Sequence, residues 1–125
     1  MFSGELNHTV YNTPGVLSGF KRLPSNVNVC FFIEEQEIDP KSTGLKELIE
    51  ERCWAIDTTP FRAKHHFSIV DCRDIRIEES SDNNTGPQYA RYLKARPDLA
   101  RRILGDFKRS ILKFDPGFDK DRLKF

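Results

Sequence analysis

The sequence is poor in the features that mark membrane proteins, disulfide-bonded proteins and nucleotide-binding proteins. No apolar run in its 125 residues approaches the ~20 residues of a membrane-spanning helix. The three cysteines are widely spaced and form no C-x-x-C pair, which argues against a disulfide framework and a zinc knuckle alike. A Walker loop, a G-x-G-x-x-G fingerprint and a G-x-S-x-G elbow are all missing. We therefore expect neither a metal nor a cofactor.

The first eight residues lack the basic and apolar segments of a secretory signal peptide. We therefore expect a cytoplasmic protein that does not associate with membranes. The sequons at Asn7 and Asn83 would then stay unmodified, because N-glycosylation requires secretion.

The residues that are present are typical of one globular domain covering residues 1–125. Hydrophobic residues make up 38% and charged residues 31% of the chain, which are ordinary values for a soluble protein. A chain of this length buries roughly two-thirds of its unfolded surface, enough for a core without covalent staples. Ten Phe against one Met and one Trp predict a core rich in phenylalanine.

A net charge of +1 conceals an uneven distribution of charge along the chain. Residues 1–62 contain six basic and nine acidic residues, a net −3, whereas residues 63–125 contain fourteen and ten, a net +4. Within residues 86–113, eight basic residues stand against two acidic ones. The overall balance excludes a strongly basic DNA-coating protein, and the local excess allows a basic face.

Two segments predict β-strands. Val27–Ile33 is β-branched and aromatic, and it is apolar at both parities from Val29 onward, which suits a central strand. Phe61–Glu79 is strand-like, but Asp71 to Asp74 interrupt its apolar positions. Either a bulge re-aims the strand or a charged pair is held inward. We expect a bulge or strand break there, with the carboxylates paired to arginines rather than to a metal.

Apolar spacing predicts helices over residues 43–56 and from Pro97 to Phe114. Ser42 or Thr43 is the expected N-cap of the first. A short helix starting at Pro87 is predicted between them. We expect loops over residues 1–26, with one short strand within residues 6–11. A further loop is expected over residues 80–86. The apolar residues of the tail are expected to dock onto the body. These tail residues are Phe118, Leu123 and Phe125.

The predicted fold class is α+β, a small, mostly antiparallel sheet covered by one central helix and two C-terminal helices. The sheet is built from Val27–Ile33 and Phe61–Glu79. The predicted core consists of Val29, Phe31, Ile33, Leu45, Leu48, Ile49, Phe67, Ile69, Leu99, Ile103 and Phe107.

The densest group of possible catalytic or metal-binding side chains is His65, His66, Asp71 and Asp74, since imidazoles and carboxylates together bind transition metals or transfer protons. On a strand the two histidines point to opposite faces. His66 and Asp74 are eight residues apart, which at about 3.3 Å per residue is far beyond one coordination sphere. We therefore favour a structural role for this group over a catalytic one.

A metal site would need Glu34 or Glu37 from a neighbouring strand, and the sequence does not reveal that pairing. Cys72 is the thiol most expected to be accessible, but no base can be assigned to it. These residues remain the candidates for a metal-assisted hydrolase centred on His66 and on Asp71 or Asp74.

A second candidate surface is the basic segment 86–113, with Tyr89 and Tyr92 available for base stacking. The simpler interpretation is that an amphipathic helix needs a solvated face. The residues expected to bind a partner or nucleic acid are Arg91, Lys94, Arg101, Arg102, Lys108 and Arg109.

Because no catalytic group has convincing spacing, the sequence favours a small non-enzymatic protein-interaction or regulatory module. The uneven charge allows self-association, with a homodimer as one form. Nucleic-acid binding through residues 86–113 is the first alternative, and the metal-assisted hydrolase is the second.

Overall fold

The computed structural model describes residues 1–3, 6, 11–34, 38–59, 66–79 and 89–125. Helices and strands are mixed along these segments, which confirms the α+β class. The chain divides into two compact units, Met1–Thr59 and Pro60–Phe125. The expectation that residues 1–125 form one domain stays a prediction.

Three parallel strands form the sheet of the N-terminal unit: β1 (Phe2–Ser3), β2 (Cys30–Ile33) and β3 (Ala55–Thr58). β2 lies between the other two and pairs with both of them in the parallel sense. The sequence predicts a mostly antiparallel sheet, from which these parallel pairs depart, and the strand begins at Cys30 rather than Val27. The strands are parallel because a helical connection carries the chain back to the end of the sheet where the previous strand began, so that each new strand runs in the same direction.

Two helices supply those connections, α1 (Pro14–Lys21) and α2 (Thr43–Arg52). Residues 1–26 were expected to contain no helix, so α1 corrects that prediction; the expected strand at residues 6–11 lies, apart from its two ends, outside the described residues. Phe20 of α1 packs against Phe31 and Trp54, with its ring centroid 6.0 Å from the first and 5.8 Å from the second. The buried core of this unit consists of Leu6, Phe31, Ile33, Leu45, Leu48, Ile49 and Trp54.

α2 ends at Arg52, four residues earlier than the periodicity predicts. Cys53 adopts a left-handed conformation with φ 53°. The amides of Cys53 and Trp54 donate to the carbonyls of Glu50 and Ile49, the double hydrogen bond of a Schellman motif. The chain then enters β3, so Ile56 lies on a strand and not on the predicted helix.

The start of α2 is fixed by residues distant in sequence. Ser42 occupies the N-cap position, but its side chain makes no capping hydrogen bond. Its buried hydroxyl instead donates to the carbonyl of Leu6, with an O–O distance of 2.7 Å. The amide of Gly44 donates to the side chain of Asn12 at 2.9 Å. The expected cap residue is thus used to hold the helix against another segment.

The C-terminal unit contains a small antiparallel sheet, as predicted for the fold. Its strands are β4 (His66–Val70), β5 (Asp74–Glu79) and β6 (Tyr89–Leu93), with β5 between the other two. The break expected between Asp71 and Asp74 is confirmed, because a three-residue turn separates β4 from β5.

The short helix predicted to start at Pro87 is wrong, since residues 89–93 form β6. Tyrosine and leucine in this segment fit a strand as well as a helix, and the ladder with β5 decides the outcome. Among its described residues, the C-terminal unit has one long helix, α3 (Pro97–Phe114), and a 3₁₀ turn at Lys120–Leu123. The loop predicted at residues 80–86 lies outside the described residues.

α3 packs on one face of this sheet. The rings of Phe67 and Phe107 meet edge to face with centroids 5.3 Å apart. The tail docks through Leu123, which is buried, whereas Phe125 is exposed. The buried hydrophobic residues of this unit are Ile75, Ala100, Phe107, Ile111 and Leu123. Of the predicted core, Val29, Phe67, Ile69, Leu99 and Ile103 are only partly buried.

Candidate functional site

A row of polar and aromatic side chains lies on the face of the antiparallel sheet opposite α3. Residues that pair across strands share a face, and successive residues of a strand alternate between faces. Phe67 faces α3, so His66 and Ser68 face away from it, together with their partners Glu78 and Arg76. We call this surface the outer sheet face. Its members discussed below are His66, Ser68, Val70, Asp74, Arg76, Glu78 and Tyr92.

Arg76 is the centre of the outer sheet face. Its Nε donates to the hydroxyl of Tyr92 at 3.0 Å, and its guanidinium carbon lies 5.8 Å from the centroid of the same ring. Its Nη1 forms an ion pair with Glu78. These contacts place the guanidinium beside the tyrosine, within the distance of a cation–π pair.

Glu78 is the most perturbed carboxylate of the outer sheet face. His66 Nδ1 lies 3.6 Å from Glu78 Oε2, on the side opposite Arg76. The contact with His66 is the largest cause that lowers the pKa of Glu78, from 4.5 to about 2. Partial burial opposes the shift, and the hydrogen bond from Arg76 adds to it. The carboxylate therefore stays charged at any physiological pH.

Two apolar side chains on the outer sheet face are open to solvent. Tyr92 is 70% exposed and Val70 is 57% exposed. Tyrosine and arginine are the side chains most enriched where proteins bind partners, and a flat exposed aromatic ring also suits base stacking. The outer sheet face therefore combines side-chain types that are common where proteins bind partners or bases.

The turn between β4 and β5 is tied to the start of α3. Asp71 and Cys72 have φ values of 52° and 49°, and Cys72 is exposed at the tip of the turn. Arg73 Nη2 donates to Asp74 at 2.7 Å, and Asp74 also accepts from the amide of Ala95 at 2.8 Å. The hydrogen bonds from Arg73 and then Ala95 lower the pKa of Asp74. The expected pairing of a carboxylate with arginine is thus confirmed at Asp74.

The structure does not bring the predicted metal group together. His66 and Asp74 lie at opposite ends of the β4–β5 ladder, because Asp74 pairs with Val70. Val70 is four residue steps from His66 along β4, about 13 Å at ~3.3 Å per residue. Within the described part of the chain, no three His, Cys, Asp or Glu side chains are placed to hold a metal ion. His65 and Glu37 lie outside the described residues, and Glu34 follows β2 in the N-terminal unit.

The six predicted partner-binding residues are divided between two elements. Arg91 lies on β6, and Lys94 follows it. The other four lie on α3. Arg101 pairs with Asp98 at 2.9 Å, and Arg109 pairs with Asp106. Arg102 is exposed on the same helix.

Lys108 differs from the other basic residues of α3. Its ammonium group lies 4.3 Å from the centroid of the Phe125 ring and donates to the carbonyl of that residue at 2.9 Å. It therefore holds the tail, and it is the least available of the predicted partner-binding residues.

Sequence reasoning missed a pocket in the N-terminal unit. It has a volume of about 440 Å³ and lies where β2 and β3 end, beside α2. Its lining comprises Ile33, Ile38, Lys46, Ile49, Glu50, Ile56, Asp57 and Thr58. The feature that points to this pocket is the parallel arrangement of the strands, because ligands of parallel sheets bind outside the carboxyl ends of the strands. A mostly antiparallel sheet, as the sequence predicts, gives no reason to expect such a pocket.

No protein-family model, no curated protein and no solved structure matches this chain. Among the described residues, no helix has both the length and the apolar character needed to cross a membrane.

Proposed function

We propose that this protein is a non-enzymatic interaction module that self-associates through oppositely charged helix faces. The observation that carries the proposal is the pair of exposed faces on α2 and α3. Glu47, Glu50 and Glu51 are all exposed on α2. Arg101, Arg102, Arg109 and Lys113 are exposed on α3. We call these surfaces the acidic helix face and the basic helix face.

The ion pairs within α3 leave the basic helix face able to bind. Asp98 and Asp106 neutralise part of it, but their partner arginines are 68% and 72% exposed. Exposed ion pairs contribute little stability, typically ~0–1 kcal/mol. A second copy that presents several carboxylates together can therefore compete for the same arginines.

Charge-swapped variants test the self-association. One variant carries Arg102→Glu and Arg109→Glu, and the other carries Glu47→Lys and Glu51→Lys. We expect the unmodified protein to form a dimer or larger species in sedimentation velocity at low salt, and to dissociate as salt shortens the screening length. Each variant alone should be monomeric, and an equimolar mixture should associate again because complementary faces are restored.

The control is a variant with two exposed lysines reversed elsewhere, Lys41→Glu and Lys120→Glu. It changes the net charge as much as either swap but should associate like the unmodified protein. A monomer at all concentrations in low salt would refute the proposal. So would a mixture of the two swapped variants that stays monomeric.

Nucleic-acid binding is the second candidate, and Tyr92 is the observation that favours it. Its ring is 70% exposed on the outer sheet face and is flanked by Arg76. A stacking ring beside a guanidinium is typical of surfaces that hold single-stranded nucleic acid. The excess of basic residues in segment 86–113 would supply phosphate contacts.

Fluorescence anisotropy with a labelled single-stranded oligonucleotide tests this candidate. Affinity should fall steeply with salt, and the slope should shrink when Arg101, Arg102, Lys108 and Arg109 become Gln. Tyr92→Ala should weaken binding, whereas Phe114→Ala, which removes another exposed ring, should not. Lack of binding at low salt would eliminate the candidate.

The cytoplasmic location expected from the sequence is also part of the proposal. All three cysteines are free, which suits a reducing compartment.

A further inference from the structure

The pocket at the ends of β2 and β3 has the form of a small-molecule site. Its volume of about 440 Å³ lies within the range of ~300–1,000 Å³ that is common for ligand sites. Ile33 and Ile49 are buried, while Ile38 and Ile56 are partly exposed. Four isoleucines therefore form an apolar surface that a ligand can reach.

The sheet register explains why this surface is apolar. Ile33 pairs with Thr58, and Phe31 pairs with Ile56. The side chains of these two pairs therefore face the same side of the sheet. Phe31 and Ile33 belong to the core that also contains Ile49 of α2. The pocket is thus an extension of this core, open at the carboxyl ends of the strands.

Two opposite charges on α2 border the apolar surface. Lys46 and Glu50 both line the pocket and are one helical turn apart, a spacing of about 5–6 Å between their Cβ atoms. Neither forms an ion pair with a described residue. Asp57 pairs with Phe32, so its side chain belongs to the other face of the sheet.

We propose that this pocket binds a free α-amino acid with an apolar side chain. The ligand carboxylate would contact Lys46, and the ligand ammonium group would contact Glu50. Its side chain would lie on the isoleucines of the pocket. A zwitterion with an apolar substituent matches both charges and the apolar surface together. Glu50 also belongs to the acidic helix face, but ligand binding at this site needs no second copy of the chain.

Methyl NMR on protein labelled at the isoleucine δ1 positions tests the proposal with L-leucine as the probe. Leucine at millimolar concentration should shift the methyl signals of Ile33, Ile38, Ile49 and Ile56. The methyls of the C-terminal unit provide an internal control and should not move. These are Ile69, Ile75, Ile77, Ile103 and Ile111.

Three analogues identify which parts of the ligand are recognised, and they need no variant protein. 4-Methylpentanoate lacks the ammonium group, 3-methylbutylamine lacks the carboxylate, and glycine lacks the apolar side chain. Each should bind at least about tenfold more weakly than leucine, because each loses one of the three contacts. Equal affinity for leucine and 4-methylpentanoate would overturn the zwitterion assignment.

Two surface substitutions locate the charges. Lys46→Gln and Glu50→Gln should each weaken leucine binding about tenfold or more, while Lys41→Gln, at an exposed position just before the same helix, should leave it unchanged. If leucine shifts no pocket methyl, or shifts methyls of both units equally, the proposal is wrong. It is also wrong if neither substitution changes the affinity.

Discussion

Left-handed backbone at residues other than glycine marks where several elements end. Among the described residues, Cys53, Asp71, Cys72 and Ala95 have φ values near +50°. Cys53 ends α2, the next two form the β4–β5 turn, and Ala95 precedes α3. Glycine is the residue that normally signals such positions. None of the four is glycine. Because Cys53 gives no signal of a helix end, the apolar periodicity predicted a helix that continues to residue 56.

Cys53→Gly should stabilise the protein by roughly 0.5–1 kcal/mol. A left-handed conformation costs a residue with a Cβ atom about 1–2 kcal/mol, and glycine removes that cost at the expense of some entropy in the unfolded chain. Cys53 is exposed, and its thiol makes a weak contact to the Glu50 carbonyl at 3.8 Å. Urea denaturation under reducing conditions measures the change.

The matched control is Cys53→Ala, which removes the same thiol but keeps a Cβ atom. It should leave the free energy of unfolding nearly unchanged. If alanine stabilises as much as glycine, the thiol and not the backbone conformation is responsible, and our explanation of the α2 end fails.

At the scale of elements, length and environment decided which predictions succeeded. α3 was predicted with its bounds intact, because its apolar stripe continues for five turns and Pro97 and Asp98 mark its start. β6 has only five residues, and its two tyrosines suit a strand or a helix. Such a short segment takes its structure from the neighbouring strand, which a single sequence does not reveal.

The outer sheet face illustrates the same limit for the candidate site. The alternation in β5 places Arg76 and Glu78 on one side, so their shared face could be predicted from period two. That His66 approaches Glu78, and that Tyr92 contacts Arg76, depends on the registers of two strand pairs. The sequence therefore identifies His66 as a candidate but does not reveal that it contacts Glu78. Its position in the sequence suggested a grouping with Asp74 instead.

The charge on Glu78 should make the stability of the β4–β5–β6 sheet depend on pH. Its pKa is lowered in the folded protein from 4.5 to about 2. A carboxylate with a lowered folded-state pKa stabilises the fold above its unfolded pKa, and this contribution is lost as the pH falls through the folded value. The stabilisation should therefore be complete above pH 4.5 and disappear towards pH 2.

Glu78→Gln isolates this contribution from those of the other carboxylates. At pH 6 the variant should be less stable than the unmodified protein, and the difference should shrink to zero as the pH approaches 2. Urea denaturation across this range measures both proteins. Glu47→Gln, at an exposed position on α2, serves as the control. A difference that stays constant with pH would show that the substitution acts through packing and not through charge.

At the scale of the whole molecule, the sequence predicted the charge asymmetry but not how the chain divides. The acidic excess of residues 1–62 and the basic excess of residues 63–125 approximately follow the two compact units, whose division lies at residue 59. No run of Gly, Pro or Ser separates them, so composition alone indicated one domain. The parallel sheet of the first unit was missed because the connecting helix α1 was not predicted.

Whether the two units unfold together is a property of the whole chain, and we predict one cooperative transition. Ser42→Ala in the first unit leaves the buried Leu6 carbonyl without its donor, at a cost of about 1–3 kcal/mol. Ile111→Val in the second unit removes a methyl group from a fully buried side chain, at a cost of about 0.5–1.5 kcal/mol. Each variant should shift the same calorimetric transition to lower temperature. The calorimetric and van't Hoff enthalpies should agree in all three proteins, as one cooperative unit requires. Two transitions, one moved only by Ser42→Ala and the other only by Ile111→Val, would mean that residues 1–59 and 60–125 are separate domains.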